Sequence, residues 1–196
     1  MEKRLQKQIE FLVEVDKMKS IYRQSVLTDM SRHESDAEHS WHFALIAMIL
    51  YEYVDNSKVD LFRVLKIALI HDLVEIYAGD TMAYDDIGNL TKEKREKEAA
   101  NKLFALLPEE QGKEMRDLWE EFEAMETEDA KYAVAVDILQ SFLQQYNTQG
   151  EAWKVHNIAG EKVYKRAEKV KNGLPQLWTF VDNIIKDSIE KGYLKK

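Results

Sequence analysis

Four side chains in this sequence carry chemistry that their surroundings do not call for. His71 and Asp72 lie in Ala68-Leu69-Ile70-His71-Asp72-Leu73-Val74-Glu75, Asp137 in Ala133-Val134-Ala135-Val136-Asp137-Ile138-Leu139, and His39 in Ala37-Glu38-His39-Ser40-Trp41. A carboxylate buried without a partner is very unfavourable. Acids and imidazoles carried by three apolar segments therefore ask for a shared compensating charge, which a divalent metal supplies. Each residue taken singly has a plainer explanation. His71 reads as a satisfied core histidine, Asp72 as a cap or an arginine partner, Asp137 as a buried acid paired to Arg or Lys, and His39 as a surface histidine in a first helical turn. Their joint occurrence, in the order His…His-Asp…Asp, is what favours a metal.

The elements that must position them read as helices almost throughout, because charged and apolar residues alternate at helical spacing and Gly and Pro are scarce. One helix is expected over about Arg4–Lys19, followed by a loop over about Tyr22–Arg32. Ser35-Asp36-Ala37-Glu38 is a capping box and opens an apolar helix to about Val54, with His39 in its first turns. Asp60 caps a helix to about Tyr77, apolar nearly all round and hence central. A loop through Gly79, Asp80 and Gly88 leads to a charged helix over about Lys92–Leu107. Pro108 fits the first turn of the next helix, which ends near Met125. Further helices are expected over about Glu128–Tyr146, Ile158–Val170 and, after Gly173-Leu174-Pro175, to about Lys191. No strand pattern, internal repeat or low-complexity linker is evident. The expected fold is all-α, a bundle of about seven or eight helices.

Composition narrows the chemistry. The 196 residues include no cysteine, so thiolate metal sites and disulfides are excluded and a closed structural zinc site is disfavoured. The net charge of −8 comes without an evident basic face, which argues against a nucleic-acid polymer as partner. It leaves room for a small anion, because a metal and one or two arginines reverse the sign locally. The N-terminus lacks a secretory signal and no apolar run is long enough to span a bilayer, so a cytoplasmic protein without a membrane partner is expected. No GxxxxGK[ST] phosphate loop is present, which disfavours ATP-driven chemistry.

Ala37-Glu38-His39-Ser40, Leu69-Ile70-His71-Asp72-Leu73-Val74-Glu75 and Ala135-Val136-Asp137 together resemble the HD-domain phosphohydrolases, in particular the branch of bacterial 5′-deoxynucleotidases and oxetanocin-like relatives. The resemblance covers roughly residues 1–150, is specific over Arg32–Trp41 and Leu69–Thr81, and is loose after Gly150. It implies a single HD domain over residues 1–196, with the metal-site core in about 20–150 and the helices of 151–196 packed on it. It also implies hydrolysis of a nucleoside 5′-monophosphate, and a homodimer. His39, His71, Asp72 and Asp137 match the ligands of one divalent metal, and such a mixed N/O set suits Mn, Co, Fe, Ni, Zn or Mg. Glu75, one turn after His71 on the same expected helix face, matches the glutamate that activates the attacking water; its plainer role is to support His71. Asp80 matches an aspartate that contacts substrate or protonates the leaving 5′-oxygen. Arg23 matches a phosphate-gripping arginine, and Arg32 also flanks the loop before His39. In the better-known deoxynucleotidases that arginine is followed by tryptophan. Here Gln24 follows, which leaves sugar and base discrimination open.

The remaining polar and aromatic residues read more plainly. His42 fits a supporting or core role and His156 a surface one, while Trp41, Trp119, Trp153 and Trp178 read as core or interface. Two rivals stay in view. One is an HD phosphohydrolase acting on a triphosphate, a cyclic dinucleotide or guanosine tetraphosphate. The other is a metal-stabilised nucleotide sensor that cleaves nothing, against which Glu75 argues.

Overall fold

The helix-start signals act where they are written. Ser35 Oγ accepts from the Glu38 amide and the Glu38 carboxylate accepts from the Ser35 amide, closing the capping box. Asp60 accepts from the amides of Phe62 and Arg63, and the helix expected from about Glu128 is capped by Thr127, which was not singled out as a cap and accepts from the Ala130 amide. The computed structural model describes residues 2–196. In chain order its helices are α1 (Glu2–Val15), α2 (Asp36–Leu50), α3 (Leu61–Ile70), α4 (Glu75–Ala78), α5 (Asn89–Phe104), α6 (Glu109–Ala124), α7 (Glu128–Asn147), α8 (Glu151–Val155), α9 (Gly160–Gly173) and α10 (Trp178–Glu190). All but the short α4 and α8 run ten residues or more, so the all-α expectation holds.

α7 is the axis of the fold. Every side chain from Tyr132 to Gln140 is buried, which leaves this helix no solvent face over that stretch. It packs on α2, α3, α6 and most extensively on α9. The core around it includes Phe43, Val64, Ile67, Leu103, Val136, Phe142 and Val163; each fully buried large apolar side chain contributes about 1.5–3 kcal/mol. Gly173 ends α9 against α7. A Cβ there would lie 2.1 Å from the Lys131 carbonyl oxygen and 2.8 Å from Ala135 Cβ. Only glycine permits this approach, and it seats α9 beside the segment that carries Asp137.

Three local expectations are corrected. The stretch read as a loop contains β1 (Tyr22–Val26), paired antiparallel with β2 (His33–Ser35). Strands of five and three residues are too short to show alternation. They are anchored instead by α7, whose Gln144 Nε2 donates to the Val26 carbonyl at 2.7 Å. The helix expected to run to Tyr77 stops at Ile70 and resumes as α4. The imidazole Nδ1 of His71 lies 3.0 Å from the Ala68 carbonyl, the acceptor that the Asp72 amide would use in a continuing helix. The ladder then tightens to i→i+3 bonds, Leu73 to Ile70 and Glu75 to Asp72. Glu75 therefore does not share one regular helix face with His71. Finally, Pro108 occupies the N-cap of α6 and precedes its first turn. Trp41 is exposed (64%) and stacked on His42, which excludes the core and agrees with the interface side of its expected role.

Candidate metal centre and active site

His39 comes from the first turn of α2, His71 and Asp72 from the break after α3, and Asp137 from the middle of α7. One nitrogen each of His39 and His71 and one oxygen of Asp72 lie within 4.8 Å of one another. His71 Nε2 is 3.1 Å from Asp72 Oδ2, and His39 Nε2 is 3.8 Å from the same oxygen and 3.1 Å from Asp137 Oδ1. The four expected ligands thus form one cluster.

The buried surroundings decide which imidazole nitrogen faces it. Gln144 spends its Nε2 on the Val26 carbonyl, so its Oε1 accepts from Gln140 Nε2 at 2.8 Å. Gln140 Nε2 also donates to Glu34 Oε1 at 2.8 Å. Both amide protons of Gln140 are then used, and its Oε1 is left to accept from His39 Nδ1–H at 2.9 Å. His71 Nδ1–H is spent on the Ala68 carbonyl. In its neutral form each ring therefore presents the lone pair of Nε2 to the cluster. Both Nε2 atoms are buried and, among the described residues, neither has a hydrogen-bond partner. Two lone pairs facing two carboxylates repel unless a cation lies among them, so this donor set fits a divalent metal ion held by two nitrogens and two carboxylates.

The electrostatics agree. Burial opposes ionisation of Asp72 and Asp137, yet His71 and Arg23 beside the first, and His39 and Arg166 beside the second, hold both carboxyls well below the usual range. Burial lowers the proton affinity of His39, with the Arg23 charge adding to it. For His71 burial acts the same way but is outweighed by Asp72 and Asp137.

A second group of acids adjoins the cluster: Asp36, Glu75 and Asp80, whose carboxylate oxygens lie within 4.8 Å of one another. Burial and the Asp72 charge raise the Asp36 carboxyl to about 7 against the pull of Arg23. Burial and the charges of Asp72, Asp36 and Asp80 raise Glu75 well above its ordinary value. Asp80 is raised by burial, with Arg23 opposing. Glu75 is itself 4% exposed and its Oε2 has no hydrogen-bond partner among the described residues.

Both groups border a cavity of about 340 Å³ that also reaches Arg23, Lys92, Trp153, Arg166 and Lys169. Arg23 Nη1 donates to Asp72 Oδ2 at 2.8 Å. The structure thus brings seven of the eight expected site residues together. Arg32 is the exception: it is half-exposed and forms a two-pronged pair with Glu38, one prong at 2.8 Å, away from the cavity lining.

Gln24 lines the cavity and its Oε1 lies 3.0 Å from His156 Nε2. His42 Nδ1 is 3.4 Å from Gln140 Nε2, a supporting position. Sequence reasoning missed Asp36, Gln140 and Arg166. Gln140 was detectable by the signal that exposed Asp137, a polar residue in an apolar run. Asp36 passes for an ordinary first-turn acid, and Arg166 for an ordinary charge on an amphipathic helix.

Comparison with known proteins completes the picture. The HD-domain family matches over residues 15–178. Human 5′-deoxynucleotidase HDDC2 is 32% identical over 137 residues, covering 69% of this chain and 65% of the human protein, so the chain spans just under two thirds of that relative. The Dictyostelium discoideum 5′-deoxynucleotidase HDDC2 is 30% identical over 154 residues, 76% of this chain and 81% of that one. The crystal structure of a predicted metal-dependent phosphohydrolase from Magnetospirillum magnetotacticum shares 45% identity and a TM-score of 0.92, covering 99% of this chain and 100% of its own. An HD-domain phosphohydrolase from Listeria innocua shares the fold, with a TM-score of 0.61 at 16% identity over 93% of this chain and 85% of that one. The fold and its His-His-Asp-Asp cluster define a helical protein with a buried metal-binding centre. The chain belongs to the HD-domain family.

Proposed function

We propose that this protein is a metal-dependent phosphohydrolase that releases phosphate from nucleoside 5′-monophosphates, with deoxyribose preferred. The observation that carries the reading is the pair of buried, unpartnered Nε2 atoms of His39 and His71, aimed at Asp72 and Asp137 beside a cavity that also holds an arginine and a carboxyl of raised proton affinity. The names of the HDDC2 relatives and of the Magnetospirillum structure support the substrate class and the reaction.

His39, His71, Asp72 and Asp137 would hold the ion, one of Mn, Co, Fe, Ni, Zn or Mg, which supplies Lewis-acid charge for a phosphate oxygen and acidifies a water. Arg23 stays protonated and keeps donors beyond the one spent on Asp72, suited to two-pronged contact with phosphate. Glu75 Oε2, free of other partners among the described residues, accepts the proton of the attacking water, and burial with the neighbouring acids raises its proton affinity. Asp80, also raised, carries a proton to the leaving 5′-oxygen. Residues 1–196 act as one domain in this reading. A homodimer is part of it too, supported by the exposed apolar side chains Trp41, Met48 and Ile49 along α2. A cytoplasmic location is likewise part of it. Among the described residues no helix is long and apolar enough to cross a membrane.

The test is a phosphate-release screen of nucleotides crossed with divalent metals. Monophosphates should be cleaved fastest, and only with metal. Faster cleavage of triphosphates or cyclic dinucleotides overturns the substrate class, and turnover in strong chelator overturns the metal.

A further inference from the structure

We propose that Arg166 and Lys169, one turn apart on α9, are phosphate-binding residues of this cavity, meeting the substrate from the Asp137 side as Arg23 meets it from the Asp72 side. The proposal rests on the phosphohydrolase reading and adds to it two residues of α9 that the sequence analysis did not single out.

Arg166 is a quarter exposed, with Nη2 3.5 Å from Asp137 Oδ2. Among the described residues none of its five N–H donors makes a hydrogen bond with protein. Arginines that serve structure here behave otherwise: Arg95 spends its donors on the Ala78 and Gly88 carbonyls and on Thr81 Oγ1. A guanidinium at the edge of a cavity with its fork unspent is equipped for an oxyanion.

Lys169 is exposed to solvent at the rim of the same cavity and has no carboxylate within 4 Å among the described residues. Burial and the charge of Arg166 pull its ammonium below its ordinary value. Two like charges one turn apart repel, and an anion between them relieves that repulsion. The cations are also firmly mounted, because the contact at Gly173 fixes α9 on α7. The competing role for Arg166 is to neutralise Asp137. A separation of 3.5 Å without a hydrogen bond makes it a loose partner for that purpose and leaves Lys169 unexplained.

Titration calorimetry with inorganic phosphate on the metal-loaded protein tests this directly. Arg166→Gln should weaken phosphate binding by about 10- to 100-fold, the worth of a charge-assisted hydrogen bond. Arg166→Lys should recover part of the loss, and Lys169→Gln should weaken binding several-fold. Lys165→Gln, the same charge change at a position of α9 outside the cavity lining, should bind as wild type, with equal metal content in all four. Wild-type phosphate affinity in both Arg166→Gln and Lys169→Gln at full metal occupancy overturns the proposal. So does a defect of Arg166→Gln that excess metal repairs, since Arg166 would then serve Asp137. Should Arg166→Gln not fold, Lys169→Gln alone decides. If wild type binds no phosphate at full metal loading, this inference falls even where nucleotides are cleaved. If no nucleotide is cleaved yet phosphate binding depends on Arg166, the hydrolase reading falls and the inference stands.

Discussion

Gln140 offers a sharp test of how the metal centre is built, because it lies outside the cavity lining and its close polar partners are buried. Its side chain is fully buried and joins three groups: His39 Nδ1 at 2.9 Å, Glu34 Oε1 at 2.8 Å and Gln144 Oε1 at 2.8 Å. Gln140→Met keeps most of the volume and removes every polar atom. A buried polar group left without its partner costs about 1–3 kcal/mol. Three such groups, discounted for relaxation and non-additivity, predict a loss on the order of 3–5 kcal/mol. The His39 ring would also lose the bond that fixes its tautomer, so metal affinity should fall about 10- to 100-fold. Gln140→Glu separates the two effects. It keeps an acceptor for His39 Nδ1–H but sets a second carboxyl against Glu34, which burial already pushes up to about 7. Its stability should drop while its metal affinity stays nearer wild type. Urea unfolding of the metal-free proteins and metal titration of each provide both numbers. If Gln140→Met unfolds within about 0.5 kcal/mol of wild type and binds metal equally well, the relay from Val26 through Gln144 and Gln140 does not set the His39 tautomer.

Four further outcomes are expected. Glu75→Gln should keep its metal, because the four ligands are intact, while turnover falls by about two to four orders of magnitude; full recovery on adding metal would instead make Glu75 a support for His71. Chelation should abolish turnover and lower the melting temperature, and Asp137→Ala should lose metal affinity because Asp137 faces His39 Nε2 at 3.1 Å. A variant with wild-type metal content and melting temperature would remove Asp137 from the ligand set. Arg32 and the capping-box amide hold the Glu38 carboxyl down at about 2. Because this pKa is lowered on folding, the stabilisation is complete above the ordinary carboxylate range and fades as pH falls from about 4.5 through 2. Glu38→Gln should therefore cost under about 1 kcal/mol at neutral pH, given its solvent exposure, and nothing near pH 2, as parallel denaturation curves would show.

The sequence by itself determined the helical class, the starts of α2, α3 and α7, and the four His and Asp side chains that come together in one cluster. Ser35, Asp60 and Thr127 act through bonds to amides two or three residues away, and interactions that local are written in local spacing. His39, His71, Asp72 and Asp137 stood out because ionisable groups are costly in apolar helices wherever the helices end up. Tertiary structure decided the rest. The α3–α4 break follows from a buried imidazole capturing the Ala68 carbonyl, a choice forced by where His71 must face. β1 and β2 exist as a pair held by glutamines more than a hundred residues away. Asp36 meets Glu75 and Asp80, and Arg166 meets Asp137, only after α2, α4, α7 and α9 have packed. On an amphipathic helix a surface charge and a cavity charge have the same spacing, and only the neighbour that buries one side tells them apart.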